Sequence, residues 1–196
     1  KLDTIALKIS EARKRIIPTV SKQLEAILDN LGMSHARFQI QNNITEQYYK
    51  NGKDVLSFLF SANKGGQFGE LKKVASGGEL SRIMLAIKKV MSENSQLPTI
   101  IFDEIDSGVS GEISNKMAHI MSQMSQQMQV ITITHLPQIA AKGNQHYKVY
   151  KEELNNTTTT SLKQLSEDER IVEIAEMLSG KNISDSALTH ARELLN

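Results

Sequence analysis

The feature that most constrains the fold is a pair of short apolar segments separated by one amphipathic segment. The apolar segments are PTIIF at 98–102 and QVITIT at 129–134, and both are rich in β-branched residues. Strands of this kind, joined through a helix, are typical of a parallel sheet in an α/β layer. The intervening segment, GEISNKMAHIMSQMSQQM, places four methionines and two isoleucines on one helical face, which predicts a helix packed on that sheet.

The composition excludes several classes of protein. A chain of 196 residues suffices for one well-buried domain with a small appendage. Its net charge of +1 argues neither for nor against nucleic acid binding, so any basic patch would have to be local. The absence of cysteine excludes disulfides and thiolate metal sites. No apolar run is long enough to span a membrane and no signal-peptide pattern opens the chain, so we expect a cytoplasmic protein without a membrane partner.

The first 31 residues have a heptad-like apolar rhythm that shifts by one position beside Pro18. Because proline lacks an amide hydrogen and disfavours helix at the preceding residue, the shift predicts two helical pieces with a break between them. An ordinary amphipathic helix and the end of a coiled-coil arm fit this pattern equally. The rhythm comprises, in order, Leu2, Ile5, Ile9, Ala12, Ile16, then Ile17, Val20, Leu24, Ile27 and Leu31.

The segments on either side of the central pattern read as hairpins and capped helices. Gly32 is expected to end the first helix, and ARFQIQ then predicts a strand that precedes a hairpin turning near Asn51-Gly52. Beyond residue 146, two strands flanking a polar loop predict an edge hairpin. Ser166 is positioned to cap a helix that ends at Gly180, and a last helix is expected from about Ser184.

Two acidic residues, Asp103 and Glu104, follow the first apolar segment directly. They are therefore expected at the carboxyl edge of the sheet, where open α/β folds bind ligands. Adjacent side chains on a strand point to opposite sides, so the two carboxylates are expected to have different roles. One can hold Mg²⁺ and the other can act as a general base, although a pair of solvated acids at the start of a loop is the alternative.

His135 follows the second apolar segment and is expected at the same edge of the sheet. A lone histidine is usually structural, but an imidazole beside two carboxylates can contact a phosphate or orient an attacking water. The remaining histidines, at 35, 119, 146 and 190, have no metal-ligand spacing and are interpreted as surface or packing residues.

The stretch Ser76-Gly77-Gly78-Glu79 opens a predicted amphipathic helix whose apolar face comprises Leu80, Ile83, Met84, Ile87, Val90 and Met91. The spacing is that of a capping box, which alone would explain a helix start. Capping does not require two glycines, however, and glycine costs helix stability. Exposed amides at a helix N-terminus favour an anion, so we interpret this stretch as a phosphate-binding loop.

In this order and spacing the three motifs resemble the second half of an ABC-type ATPase head. The matching parts are a signature motif SGGE, a Walker B strand TIIFDE, a D-loop IDSGVSG and a switch histidine in TH. Glutamate at position 79 followed by LSR is similar to the SMC-like branch. Within it, KVASGGELSRIMLAIK, ITHLPQIAA and ERIVEIAEMLSG resemble the RecN family of bacterial DNA repair proteins, over most of the chain from about Leu31.

The resemblance implies a fold and a set of roles. It implies a P-loop NTPase-like parallel sheet with flanking helices in residues 32–196, preceded by the end of a coiled-coil arm in residues 1–31. In such heads ATP is sandwiched between two copies, so Ser76, Gly77 and Gly78 would contact the terminal phosphate across a homodimer, with Glu79 supporting the loop. Asp103 would hold Mg²⁺, Glu104 would be the catalytic base and His135 the phosphate sensor. Asp106 and Ser107 would lie at the dimer interface.

One part of such a site is missing from the sequence, because no G-x-x-x-x-G-K-[ST] motif occurs in it. We therefore expect the C-terminal half of a head, partnered with an N-terminal half that supplies the Walker A loop, and inactive by itself. This half-head is expected to belong to an ATPase of recombinational DNA double-strand-break repair.

Two other functions fit parts of the sequence. One is a non-catalytic interaction half-domain, and the other is the nucleotide-binding subunit of an ABC transporter. The transporter would need a helical subdomain before the signature, where a heptad-like segment and strands occur instead. DNA as a partner, with association to the nucleoid, rests on three basic spots: Arg13-Lys14-Arg15, Lys72-Lys73 and Lys88-Lys89.

Overall fold

The computed structural model describes residues 1–95, 97–109, 111–154 and 157–196, so Ser110 of the D-loop motif and the predicted polar loop at 155–156 lie outside the described residues. The chain divides into two compact units, Lys1–Leu97 and Pro98–Asn196, which are treated separately below. In the described parts of the chain, no helix is long and apolar enough to cross a membrane. The elements of the first unit are α1 (Leu2–Asn30), β1 (Arg37–Tyr49), β2 (Gly52–Ser61), β3 (Gly69–Glu70), α2 (Leu71–Val74) and α3 (Gly77–Asn94).

The first unit is built on an antiparallel sheet with strand order β1-β2-β3. The predicted hairpin is confirmed, because β1 pairs with β2 from Arg37↔Ser61 to Tyr49↔Gly52. Gly52 has φ 117°, a conformation that residues other than glycine rarely adopt. Phe38 and Phe60 are paired across the strands, with ring centroids 5.3 Å apart, and both are buried.

The predicted helix break beside Pro18 is wrong, because α1 is continuous through Pro18. Proline removes only one hydrogen bond from the helix ladder, and tertiary contacts on both sides hold the helix across that point. On the N-terminal side, Arg13 donates a 2.6 Å hydrogen bond to Asp54 of β2; on the C-terminal side, Leu24 and Leu28 are fully packed in the core. As expected, Gly32 follows the helix end with φ 78°.

The two ends of α1 differ in what they cover. Leu24, Leu28 and the following Leu31 are buried in the first unit. Further towards the N-terminus, Ala6, Ser10 and Arg13 face the β1–β2 hairpin, where Ser10 lies 3.3 Å from the amide of Asn42. The neighbouring stripe of the helix, which carries the first part of the heptad-like rhythm, is exposed at Leu2, Ile5 and Ile16.

The predicted apolar face of α3 is only partly buried. Ile83 and Val90 lie in the core as expected, but Met84 and Met91 are 39% and 42% exposed. Leu85 and Ala86 are fully buried instead, so the buried side of α3 is rotated around the helix axis relative to the predicted apolar face. The pattern marks which residues are apolar, whereas the contacts of α3 with α1 decide which of them are covered.

The second unit contains the predicted parallel strands, β4 (Thr99–Asp103) and β5 (Gln129–Ile133), joined through α4 (Gly111–Ser125). They pair in parallel from Thr99↔Gln129 to Asp103↔Ile133, which confirms the α/β pattern. The methionine stripe is core as expected. Its buried members are Met117, Met121, Met124 and Met128, with Ile120.

The rest of the second unit is α5 (Pro137–Ala141), β6 (Tyr147–Leu154), β7 (Thr157–Gln164), α6 (Glu167–Ser179) and α7 (Asp185–Leu195). The strands β6 and β7 form the predicted hairpin, but as a two-stranded sheet of their own and not as an edge of the β4–β5 sheet. Ser166 caps α6 as expected, and the last helix begins after Ser184, which caps it. The two helices enclose a small core with α5, comprising Ala141, Ile174, Ala175, Ala187 and Ala191.

Candidate functional site

The acidic pair and the histidine lie at the same edge of the β4–β5 sheet. The parallel register places Asp103 opposite Ile133, and the amide of Glu104 donates a 3.1 Å hydrogen bond to the carbonyl of Ile133. His135 follows two residues after Ile133. The predicted side-by-side placement of the two strand ends is therefore confirmed, and it is the location where ligands of open α/β sheets bind.

Glu104 has an unusual backbone conformation. With φ 47° it lies in the left-handed region, and it is the one non-glycine residue with positive φ in the described part of the chain. Such a conformation costs a residue with a Cβ about 1–2 kcal/mol. The hydrogen bonds of its amide to Ile133 and of the Ser107 amide to its own carbonyl (3.2 Å) hold it in place. The structure thus maintains strain at the residue where the sequence predicts a general base.

The side chains at this edge are open to solvent. Asp103 and Glu104 are exposed, and the imidazole of His135 is 65% exposed. No group of three or more His, Cys, Asp or Glu residues in the described ranges is arranged to hold a metal ion. Mg²⁺ is usually bound by one or two carboxylates together with water and the phosphate oxygens of a substrate, and such a site needs no cluster of three.

Asp106 is directed into its own unit. The residue is 1% exposed, its carboxylate accepts a hydrogen bond from the Thr134 hydroxyl, and one oxygen lies 3.8 Å from Nδ1 of His135. Ser107, by contrast, is exposed. The placement of both residues at a dimer interface stays a prediction, and the structure adds that the carboxylate of Asp106 is already engaged on the inner side of the turn.

In the signature stretch, the carboxylate of Glu79 is hydrogen-bonded to both the amide and the hydroxyl of Ser76. Its Oε2 accepts hydrogen bonds from the Ser76 amide and from the Ser76 hydroxyl, each 2.8 Å long. The backbone bond, then the hydroxyl bond, lower the pKa of Glu79 below its ordinary value, so the carboxylate is charged at neutral pH. An anion thus occupies the position that the helix N-terminus favours, and in this structure the chain itself supplies it.

Gly77 is not required by packing inside the chain. A Cβ added at this position would meet no atom within 4 Å, and its φ is not in the left-handed region. Glycine nevertheless costs helix stability relative to alanine. In the described part of the chain the amides of Gly77 and Gly78 have no backbone partner outside their helix, as is usual for the first turn of a helix.

Sequence reasoning missed two arginines that fix these loops. Arg82 donates 3.0 Å hydrogen bonds to the carbonyls of Gly78 and Leu31, which ties the first turn of α3 to the end of α1. Arg170 of α6 is buried and donates to the carbonyls of Gly143 (2.6 Å) and Ala141 (3.4 Å), at the end of the short helix that follows His135. Gly78 lies four positions from Arg82, whereas the other three partners lie 27–51 positions away from their arginine. The signal available was an arginine directly before the apolar residues of a predicted helix.

Replacing Arg170 with methionine is expected to lower the free energy of unfolding of the second unit by about 2–3 kcal/mol. The substitution keeps an unbranched apolar side chain but leaves two carbonyls without their charged donor. Urea unfolding followed by circular dichroism measures the change. Arg192→Met, at an exposed position of α7, is the matched control and is expected to stay within about 0.5 kcal/mol; equal effects of the two variants would contradict the assigned role.

The other histidines have no part in this edge. His35, His119 and His190 are exposed, and His119 bonds to Gln123 within its own helix. His146 is half-buried: burial lowers its pKa, against the opposing charge of Glu173, so the ring is neutral at physiological pH. These positions agree with the interpretation of the four as surface or packing residues.

The chain is similar in sequence to DNA repair proteins named RecN. It is 41% identical over 187 residues to RecN of Deinococcus radiodurans, covering 95% of this chain and 33% of that protein. The identity is 37% over 205 residues with RecN of Bacillus subtilis and 35% over 197 residues with RecN of Haemophilus influenzae, covering 97% and 100% of this chain. It covers 36% and 35% of those two proteins. No family model matches the chain.

Solved structures of SMC head domains share the fold. An SMC head with coiled coil and joint from Pyrococcus yayanosii superposes with a TM-score of 0.62 at 17% identity, over 85% of this chain and 30% of that one. A chain from a study of ATP-driven dimerization and DNA-stimulated activation of SMC ATPases superposes with a TM-score of 0.56 at 18% identity, over 87% and 98%. The fold is thus that of an SMC head, as the resemblance implies. The resemblance to the RecN family is thus confirmed over 95–100% of this chain, which spans about one third of the length of these relatives.

Proposed function

We propose that this chain works as the C-terminal head portion of a longer SMC-like ATPase. This complete protein would have the full length of the relatives. In it, ATP and Mg²⁺ would be bound between two heads. The observation that carries the proposal is the strained backbone of Glu104, held at the carboxyl end of β4 beside the strand end that leads to His135. Strain of this kind persists where the surrounding structure enforces it, and it clusters at functional sites.

The exposed residues of this edge suit a phosphate-bearing substrate. Asp103 would hold Mg²⁺, and the ion would supply neutralisation of the phosphate charge when bound. Glu104 would take the proton of a water molecule, and its exposure lets it reach a substrate without any rearrangement of the core. His135 would contact the terminal phosphate or the water, because its imidazole is largely open to solvent.

The signature stretch would serve a second copy of the head. Ser76, Gly77 and Gly78 would bind the terminal phosphate of a nucleotide held by the other copy of a homodimer. The open space at Gly77 and the unpartnered amides of the two glycines support this role. The carboxylate of Glu79 would have to release the Ser76 hydroxyl, so Glu79 would support the loop when the two heads are apart.

The rest of the head would cover apolar surface that is open in this chain. Parallel strands are normally buried on both faces, yet the β4–β5 sheet has one face exposed at Ile101, Ile131 and Ile133. We infer that the N-terminal half of the head, which would supply the missing phosphate-cradling loop, packs on this face. The exposed stripe of Leu2, Ile5 and Ile16 on α1 supports the assignment of residues 1–31 to the end of a coiled-coil arm.

A role in DNA repair is proposed from the relatives' name, DNA repair protein RecN. Such a role would place the protein in the cytoplasm and on the nucleoid. Of the three basic spots, each has one member already in an ion pair within the chain: Arg13 with Asp54, Lys73 with Glu70 and Lys89 with Glu93. Phosphate contacts to DNA would therefore rest on the neighbouring residues Lys14, Arg15, Lys72 and Lys88.

Calorimetric titration with Mg-ATP tests this proposal. We expect no binding in the micromolar range for the 196-residue chain, because the signature acts on a nucleotide held elsewhere, and micromolar binding for the complete protein. Sedimentation of the complete protein should show a dimer with ATP and a smaller species without nucleotide. Micromolar binding by this chain alone would contradict the half-head assignment, and a complete protein that binds no ATP would contradict the function.

A further inference from the structure

The turn after Glu104 and the end of β5 are joined by one buried carboxylate. Asp106 lies two residues after Glu104, and its side chain is fully buried. Its Oδ2 accepts a hydrogen bond from the hydroxyl of Thr134, the residue before His135. The same hydroxyl accepts a 3.0 Å hydrogen bond from the amide of Leu136, the residue after His135. The backbone on both sides of the histidine is therefore held by the Thr134–Asp106 pair.

The second oxygen of this carboxylate is unpaired. Oδ1 of Asp106 is buried and has no hydrogen-bond partner within the described residues. A buried carboxylate oxygen without a donor is costly, so its retention calls for a partner in another state of the site. The nearby candidate is Nδ1 of His135 at 3.8 Å, which is beyond hydrogen-bond distance by about 1 Å. A small rotation of the exposed imidazole brings the two atoms together.

We propose that Asp106 is a positioning residue for His135. Its Oδ2 fixes the backbone around the histidine through Thr134, and its Oδ1 accepts a hydrogen bond from Nδ1–H of the imidazole. That bond selects the tautomer that carries its proton on Nδ1. Nε2 then has a free lone pair directed to solvent, where it can accept a hydrogen bond from water beside Glu104.

The arrangement also makes the turn and the histidine loop a single mechanical unit. Glu104 is bonded to Ile133 through its amide, and Asp106 is bonded to Thr134 through its side chain. A displacement of residues 104–109 must therefore displace His135 or break one of these bonds. Contact of another molecule with the exposed Ser107 would be transmitted in this way to the imidazole. The role of His135 in hydrolysis rests on the proposed function, whereas its placement by Asp106 does not.

Nitrogen NMR of the histidine rings in this chain tests the placement. Long-range ¹H–¹⁵N spectra distinguish the two neutral tautomers, and His135→Gln assigns the signal among the five histidines. We expect His135 to be mainly in the Nδ1–H form and to change to mainly the Nε2–H form in Asp106→Asn. Asp103→Asn is the matched control, because it removes an acid from the same sheet edge, and the His135 signal should not change. Identical His135 spectra in wild type and Asp106→Asn would overturn the proposal.

A second pair of variants applies if Asp106→Asn does not fold. Thr134→Ser keeps the hydroxyl and is expected to preserve the wild-type tautomer, whereas Thr134→Val removes the hydroxyl and should broaden or shift the His135 signal. Equal spectra for these two variants would overturn the proposal as well. The signals of the other four histidines report whether each variant is folded.

Kinetics of the complete protein separate this inference from the proposed function. Asp106→Asn should lower kcat at least about tenfold with little change in the KM for ATP, because a positioning residue acts after substrate binding. Thr134→Ser should restore most of the rate relative to Thr134→Val. If the complete protein has no ATPase activity but the tautomer responds to Asp106→Asn, the function is wrong and the placement stands; an unchanged kcat in an active enzyme would overturn the mechanistic role.

Discussion

Glu104→Gln in the complete protein is expected to lower steady-state ATP hydrolysis by a factor of about 10²–10⁴ while ATP binding persists. A general base contributes a rate factor of this size, and glutamine cannot take a proton from water. The substitution is nearly isosteric at an exposed position, so the strained backbone and the hydrogen bond to Ile133 should be retained. A phosphate-release assay gives kcat, and titration with a fluorescent nucleotide gives the dissociation constant.

The control for this variant is another exposed glutamate of the same unit. Glu112 lies in the first turn of α4 and pairs with Lys116 at 3.1 Å, so Glu112→Gln removes the same charge from a residue with no assigned role in the site. Its turnover should equal that of the wild type. Since a variant that binds ATP without hydrolysing it holds the heads together, Glu104→Gln should also show a larger dimer fraction in sedimentation with ATP. Turnover near the wild-type rate would remove Glu104 from the role of base.

Much of the fold could be predicted because the determining signals are local. The strands β4 and β5 are indicated by their β-branched residues. The hairpin of β1 and β2 is indicated by Asn51-Gly52 between two segments of alternating polar and apolar residues. Parallel pairing then follows from the intervening helix, and it brings Asp103 and His135 to one edge without any knowledge of side-chain contacts.

The errors concern contacts between residues far apart in the chain. Pro18 predicts a helix break because its local effect is to remove a hydrogen bond from the helix. In the structure, Arg13 is bonded to Asp54, 41 positions away, and this contact helps to keep the helix continuous. The burial of Asp106 was not predicted either way, and it also involves a residue far along the chain, because Thr134, 28 positions away, donates to its carboxylate. Nothing in the local sequence indicates this bond.

The phosphate-binding role of the signature stretch can be separated from helix capping within this chain. Ser76-x-x-Glu79 and Ser166-x-x-Glu169 have the same spacing, and in both the glutamate accepts a hydrogen bond from the serine amide. They differ in the residues between, which are Gly77 and Gly78 in the first case and the acids Glu167 and Asp168 in the second. At α3 an approaching phosphate meets two glycines and the single carboxylate of Glu79, whereas at α6 it meets three acidic residues in the first turn.

Ser76→Ala and Ser166→Ala are therefore a matched pair with different expected results. Each removes a serine from a helix N-terminus and should cost about 0.5–2 kcal/mol of stability in its own unit. In the complete protein, Ser76→Ala is expected to weaken ATP-driven dimerization and hydrolysis at least about tenfold, whereas Ser166→Ala should leave both near the wild-type level. If the two variants reduced dimerization equally, the stretch would be a capping box and no more.

Gly77→Ala gives the sharpest form of the same test, because stability and function are expected to change in opposite directions. The added methyl group meets no atom of this chain within 4 Å, and alanine is the better helix former, so the free energy of unfolding should rise by up to about 1 kcal/mol. The methyl group lies where a phosphate would approach the backbone, so ATP-driven dimerization should weaken at least about tenfold. Urea unfolding and sedimentation with ATP measure the two effects. A variant that is more stable and dimerizes normally would show that nothing approaches this backbone.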